Sequence, residues 1–168
     1  MGRGFGLVIV REPREATVES VRKLTRTTGE GGVHPVVIDG KDCADEAALF
    51  GTLAEKLAFP DYFGRNWDAL DECFSDLLEI TGGGLGSAFA DRPGVAARTL
   101  ILTFLDSARL IDNGADLLTK LLATFDHAVD VNRERNAAGL RVILQLDAAE
   151  SDETEAALRR ITEGPAGG

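Results

Sequence analysis

Histidine, cysteine and aromatic side chains are scarce in this chain, and their scarcity narrows the classes of protein to consider. The 168 residues include two cysteines, two histidines, one tyrosine and one tryptophan. Two cysteines do not make the disulfide framework of a small secreted domain. Cys73 falls on the apolar side of a helical pattern, which indicates a small buried hydrophobic side chain rather than a reactive thiol.

The sequence signatures of an active site are also missing. Neither His34 nor His127 has a nucleophile at an informative spacing. The chain contains no nucleophile elbow, P-loop, dinucleotide-binding fingerprint or zinc-ligand spacing. We therefore predict that the protein is not an enzyme and uses no cofactor. An active site can also be assembled from residues that are distant in sequence. A small α/β enzyme with such a site is therefore an alternative.

Long hydrophobic runs are absent as well. The run Leu7–Val10 is too short for the core of a signal peptide, and no stretch approaches a membrane span. We therefore expect a cytoplasmic protein without a membrane partner.

Acidic residues outnumber basic ones, 28 against 18, and give a net charge of −10. A field of that sign repels nucleic acid and anionic membranes and attracts cationic proteins. The charge is uneven, because residues 1–27 contain six basic and three acidic side chains, whereas the rest of the chain carries −13. We expect a cationic protein partner, no nucleic-acid partner, and a monomer when the partner is absent.

Four short apolar runs separated by helical patterns predict an α/β fold with a small parallel sheet. Three of them, Val36–Asp39, Thr99–Leu105 and Leu140–Leu146, are the predicted core strands. The fourth, Leu7–Val10, either adds a parallel strand at the sheet edge or belongs to a loosely attached arm, and we favour the added strand. A single domain is expected from the length.

Polar residues before the apolar patterns predict helix starts. Asp45, Asn66 and Ser151 are expected to cap helices, and Asp112 or Asn113 is expected to cap the long helix before the last strand. A glycine-rich segment, residues 81–98, precedes a strand rather than a helix, so we interpret it as a surface loop insertion and not as a phosphate-binding loop.

One stretch carries an unusual concentration of charge. Pro60 to Leu77 reads PDYFGRNWDALDECFSDL, and the segment from Asp61 to Ile80 contains six acidic residues and one basic residue. Apolar residues at i, i+3, i+4 and i+7 predict the buried stripe of a helix: Leu70, Cys73, Phe74 and Leu77. The opposite face is acidic and places like charges four residues apart, at a cost of about 0.2–0.5 kcal/mol per pair. Either the face is simply solvated, or a cationic partner neutralises it.

Carboxylates on a single helix lack the loop that lets metal ligands converge, so no metal site is predicted.

The run YFGRNWDAL, with a proline before it and Cys73 after it, closely resembles the signature of the barstar family, intracellular inhibitors of secreted bacterial ribonucleases. The likeness extends from about Val36 to Cys73. It implies a barstar-like domain over residues 34–147, preceded by a strand–helix extension, 1–33, and followed by a helix and tail, 148–168. It also implies that the acidic helix and the loop before it fill a nuclease active site.

The resemblance can be carried over residue by residue. Tyr62, Asn66 and Asp68 match family residues that meet the nuclease, and Glu72 stands in place of the family's central aspartate. Asp71 stands where an aromatic residue is common. A carboxylate from a later helix also contributes in the family; Thr124, Asp126 and Glu134 are candidates for it, and we select Asp126. The complete expected contact set is Tyr62, Asn66, Trp67, Asp68, Asp71, Glu72, Ser75, Asp76 and Asp126.

These observations predict a non-enzymatic inhibitor that blocks the cationic active site of a secreted, barnase-like, guanyl-specific ribonuclease and so protects the producing cell. An alternative within the same class is immunity against a different cationic toxin. Both hypotheses require the acidic face to be exposed and its apolar stripe to be buried.

Overall fold

A computed structural model describes residues 3–27, 32–59, 62–80 and 97–164. The strands are β1 (Gly6–Arg11), β2 (Val33–Asp39), β3 (Thr99–Leu105) and β4 (Gly139–Leu146), and the α-helices are α1 (Arg14–Thr27), α2 (Glu46–Lys56), α3 (Trp67–Leu78), α4 (Asp116–Val131) and α5 (Asp152–Glu163). Short 3₁₀ turns, Gly40–Cys43 and Ser107–Ile111, follow β2 and β3. No helix in the described part of the chain has the length and apolar character needed to cross a bilayer.

The strands form one parallel sheet in the order β1-β4-β3-β2, which confirms the predicted α/β class. The three predicted core strands are all present. β1 pairs with β4 along its whole length, from Gly6 opposite Arg141 to Arg11 opposite Leu146. The N-terminal segment is therefore an added strand rather than a loose arm, as favoured from the sequence.

The burial pattern of the strands follows from their places in the sheet. β3 is covered almost along its entire length, as expected for an interior strand of a parallel sheet. β4 alternates at its start, where Leu140 and Val142 are buried and Arg141 is exposed. The side chains of one sheet face join the apolar residues of α2, α3, α4 and α5 in a single core.

The helix boundaries agree with most of the predicted caps. The side chains of Asp45 and Ser151 accept hydrogen bonds from backbone amides in the first turns of α2 and α5. The prediction for α4 was wrong, because its N-cap is Ala115, without a side-chain cap. The amide of Asn113 instead donates to the carbonyl oxygen of Ala44, 3.1 Å away. The side chain of Asn113, a predicted cap of α4, thus forms a hydrogen bond with a distant part of the chain instead.

The predicted insertion, residues 81–98, lies outside the described residues except for Ala97 and Arg98, and so does most of the predicted C-terminal tail. In the described part of the chain, the ends of β2 and β3 are held together closely at Gly40. A Cβ atom at that position would lie 2.9 Å from the carbonyl oxygen of Leu105 and nearer still to that of Asp106. Only glycine fits this approach without moving the backbone.

Gly40→Ala is therefore expected to destabilise the protein by about 1–3 kcal/mol, because the added methyl group overpacks a rigid backbone contact. Urea unfolding followed by circular dichroism would measure the loss. Gly139→Ala is the control, since a Cβ there meets its nearest neighbour, the Arg98 oxygen, only at 3.8 Å. Equal free energies of unfolding for the two variants would contradict the proposed close contact.

Candidate functional site

The two faces of α3 separate apolar from acidic side chains as the sequence predicts. Leu70, Cys73, Phe74 and Leu77 are all buried. Asp68, Glu72 and Asp76 are exposed. Phe74 packs on Phe125 of α4 with ring centres 4.7 Å apart, which fixes the side of the helix that faces the core.

The turn before α3 is built to start the helix and to present one aromatic ring. The side-chain oxygen of Asn66 accepts a hydrogen bond from the amide of Ala69 at 2.8 Å, so Asn66 caps the helix. Phe63 is buried and packs edge to face against Phe50 and Phe59. Tyr62, next to this anchor, is 81% exposed. The turn therefore holds a large aromatic side chain in solvent beside the acidic face.

Trp67 occupies the first position of α3 and is half-buried, as expected from the sequence. Its indole N–H donates to Oε1 of Glu46 in α2 at 2.9 Å. Lys120 of α4 lies 3.5 Å from the same carboxylate oxygen and 6.0 Å from the centre of the indole ring. These contacts join three helices at the N-terminal end of α3 and fix the orientation of Trp67.

A row of uncompensated negative charge runs along the exposed face of α3. Asp68, Glu72 and Asp76 recur every four residues, and none of them forms an ion pair in the part of the chain that the structure describes. We call this row the acidic row. The acidic row also acts on a side chain on the buried side of the helix. Burial raises the pKa of the Cys73 thiol, and the negative charges of Asp76 and Glu72 raise it further. Cys73 is thus a neutral, buried side chain, as predicted.

Asp71 lies beside the acidic row and does have a partner. Its Oδ1 is 2.7 Å from Nδ1 of His127 on α4, and the side chains are 32% and 59% exposed, respectively. This contact places an imidazole at the surface between the two helices. Sequence reasoning missed His127, because no local pattern relates it to a residue 56 positions away.

The C-terminal part of α3 is fixed by a buried amide. Asn132, which follows α4, donates from Nδ2 to the carbonyl oxygens of Ser75 and Ala128, each at 2.9 Å. The chain after α3 is held as well, since the amide of Ala138 donates to the Leu78 oxygen at 2.7 Å. The exposed side chains of α3 are therefore carried by a helix that is tied down at both ends.

Asp126, selected as the contribution of the later helix, is engaged inside the molecule. Its Oδ2 lies 2.5 Å from Nη1 of Arg3, whose Nε also donates to the carbonyl oxygen of Thr162 in α5. The other candidates differ in exposure: Thr124 is buried and donates to the Lys120 oxygen, whereas Glu134 is exposed. The α4 side chain that reaches α3 beside the acidic row is His127.

Metal coordination has no support in the described residues, which contain no group of three or more His, Cys, Asp or Glu side chains arranged around a common point. The chemistry that the surface offers is hydrogen-bond acceptance by carboxylates, flanked by Tyr62 and Trp67. Carboxylates in this arrangement favour cationic groups, above all guanidinium and ammonium.

Comparison with known proteins identifies the family of the chain. Residues 33–145 match the profile of the family described as Barstar (barnase inhibitor). The chain belongs to the barstar family. The match covers β2, β3, most of β4 and the helices between them, and leaves β1, α1 and α5 outside.

A curated relative matches a shorter part of the chain. It is named "Putative ribonuclease inhibitor YrdF", from Bacillus subtilis (strain 168), and is 42% identical over 45 residues. The aligned segment is 27% of this chain and 50% of the relative. The chain thus spans about half the length of that relative.

Asn132→Ala is expected to destabilise the protein by about 1–3 kcal/mol, because it removes a buried side chain and leaves the part-buried Ser75 oxygen without its side-chain donor. Differential scanning calorimetry and urea unfolding would measure the effect. Asn136→Ala is the matched control, since Asn136 is exposed and contributes its backbone oxygen, not its side chain, to the contact with Ile80. A variant at position 132 as stable as the control would show that this amide does not secure α3.

Proposed function

We propose that this protein is a non-enzymatic inhibitor of a secreted, guanyl-specific ribonuclease, and that the acidic row of α3 occupies the cationic active site of that nuclease. The observation that carries the proposal is a set of three exposed carboxylates that form no ion pair with any described residue, on a helix whose other face is buried in the core. Membership of the barstar family and the name of the relative, a putative ribonuclease inhibitor, support a ribonuclease as the target class.

The mechanism follows from the charge of the two surfaces. A ribonuclease binds a phosphodiester, so its cleft presents Arg, Lys and His side chains. Carboxylates placed where phosphates would lie accept charge-assisted hydrogen bonds from these groups. Pairing with the partner also relieves the repulsion between neighbouring carboxylates of the acidic row. Binding therefore stabilises the feature that most opposes helix formation in the free protein.

Five of the nine expected contact residues have a direct role in this mechanism. Glu72 lies in the middle of the acidic row and is proposed to bind the phosphate-binding cations, with Asp68 and Asp76 on either side. Tyr62 is proposed as an aromatic anchor, because aromatic side chains bury a large area at a low entropic cost. Trp67 flanks the N-terminal end of the row.

Long-range attraction is the proposed basis of rapid capture. A net charge of −10 draws a cationic nuclease towards the acidic row before contact. Speed matters for a cytoplasmic inhibitor that must act on a nuclease made in the same cell, before that nuclease degrades RNA. We accordingly propose that the protein acts as a monomer in the cytoplasm of the producing cell.

A second candidate, immunity against a different cationic toxin, is favoured by the identity of residue 72. Glutamate there is one methylene longer than the aspartate that the family resemblance leads one to expect. Glu72→Asp separates the candidates. A protein that uses Glu72 only as a substitute for aspartate should bind a guanyl-specific ribonuclease at least as well after the change, whereas a surface fitted to a different cleft should lose affinity for its own partner.

Glu72→Ala is expected to weaken binding by about 2–5 kcal/mol, mostly through faster dissociation, because it leaves nuclease cations buried without a partner. Stopped-flow and surface-plasmon measurements against a panel of purified guanyl-specific ribonucleases would give both rate constants. The fold should not suffer, since the change removes two like-charge contacts in α3.

Glu163→Ala is the control for this experiment, since it removes the same charge from an exposed position at the end of α5. It should change the association rate slightly and leave the dissociation rate unaltered. If Glu72→Ala bound as tightly as the parent protein, the acidic row would not be the contact surface.

The association rate should fall steeply with added salt if charge steers the encounter. Between 0.01 M and 0.15 M ionic strength, the Debye length shrinks from about 30 Å to about 8 Å, which screens attraction beyond the contact distance. Stopped-flow association with the nuclease would show the trend. Association rates that stay constant over this range would remove steering from the mechanism.

A further inference from the structure

One imidazole, that of His127, contacts a carboxylate next to the acidic row. His127 projects from α4 and is 59% exposed, and its Nδ1 lies 2.7 Å from Oδ1 of Asp71 on α3. Asp71 directly precedes Glu72, the central residue of the acidic row, in the sequence. His127 is thus held at the surface that the proposed function assigns to the partner.

The contact determines which nitrogen of the ring faces outward. An ionised carboxylate only accepts hydrogen bonds, so the proton of the neutral imidazole lies on Nδ1. Nε2 is then an unprotonated acceptor on the other side of the ring. It has no hydrogen-bond partner in the part of the chain that the structure describes.

The charged groups around the ring leave Asp71 as its direct partner. On α4, Asp126 is paired with Arg3, and Asp130 is paired with Arg133 at 3.0 Å. Lys120, two turns earlier, contacts Glu46 and Trp67. From α3, Asp68 and Glu72 lie on the same helix as Asp71, but neither forms a hydrogen bond or ion pair with the ring in the described part of the chain. Asp71 is therefore the group that sets the hydrogen bonding of the ring.

We propose that His127 is a specificity-determining contact of this inhibitor, which accepts a hydrogen bond through Nε2 from an arginine or lysine of the nuclease, and that Asp71 is the residue that positions it. The proposal rests on the proposed function and deepens it. A neutral His127 offers an acceptor to a cationic cleft, as the neighbouring carboxylates do. A protonated His127 offers a donor and a positive charge to that same cleft, and like charges across an interface oppose binding.

The sign of the pH dependence follows. Histidine is the side chain that changes charge between pH 5 and 8 in its ordinary environment. A nuclease cation is attracted by the neutral ring and repelled by a protonated one, so the proposal expects tighter binding at pH 8.0 than at pH 5.5. A nuclease titrates as well, so the contribution of His127 must be obtained as a difference between variants measured with the same nuclease.

The experiment measures dissociation constants at pH 8.0 and 5.5 for the parent protein and for His127→Gln, with a guanyl-specific ribonuclease that the parent binds. Glutamine keeps a hydrogen-bonding amide but does not titrate. We expect the parent to lose about tenfold more affinity than His127→Gln over this interval, equivalent to about 1.4 kcal/mol. Equal pH dependence of the two proteins would overturn the proposal.

His34→Gln is the matched control, since it removes the other histidine, which lies on β2. Its affinity should follow the pH in the same way as that of the parent. If His34→Gln abolished the pH dependence instead, the effect would belong to β2 and not to the α3–α4 surface. Circular dichroism of each variant at both pH values would establish that the proteins compared are folded.

The role of Asp71 has a readout that needs no partner. Nitrogen-15 NMR of the histidine rings at pH 8.0 should show the Nδ1–H form for His127 in the parent and its loss in Asp71→Ala. A predominant Nε2–H form in the parent would overturn the positioning role.

Glu72→Ala distinguishes failure of this inference from failure of the proposed function. If Glu72→Ala weakens binding while His127→Gln leaves the pH dependence intact, the inhibitor mechanism stands and the role of His127 falls. If the parent binds none of the ribonucleases tested, or if Glu72→Ala binds like the parent, the proposed function falls and takes this inference with it.

Discussion

Burial of the apolar face of α3 is the interaction on which the proposed contact surface depends. Each large side chain of that face, such as Leu70 or Phe74, contributes roughly 1.5–3 kcal/mol when buried. Repulsion along the acidic row costs only about 0.2–0.5 kcal/mol per pair. Packing therefore outweighs the repulsion, and the fold can present a row of carboxylates that an isolated helix would not support.

The N-terminal extension belongs to the same structure although it lies outside the family match. β1 extends the sheet beside β4, and Phe5 packs edge to face on Phe125, with ring centres 6.1 Å apart. Arg3 links Asp126 of α4 to the last turn of α5. The extension thus supports α4, the helix against which α3 packs, and contacts the same Phe125 ring as Phe74 of α3.

Local patterns predicted the parts of this protein that depend on neighbouring residues. The spacing of Leu70, Phe74 and Leu77 defined the buried stripe of α3, and Asn66 was correctly expected to cap it, because periodicity and capping act within a few residues. The pairing of Arg3 with Asp126 could not be predicted, since it joins residues 123 positions apart. The same holds for His127, whose contact with Asp71 exists only because α3 and α4 are adjacent in the fold.

Competition with a mononucleotide tests the central claim most directly, that carboxylates of α3 occupy the phosphate-binding site of a nuclease. Affinity for a guanyl-specific ribonuclease would be measured at increasing concentrations of guanosine 3′-monophosphate, the product expected of such an enzyme. The apparent dissociation constant should rise in proportion to the nucleotide concentration once the nuclease is saturated with it. A dissociation constant that stays unchanged, with nucleotide and inhibitor bound together, would contradict the account.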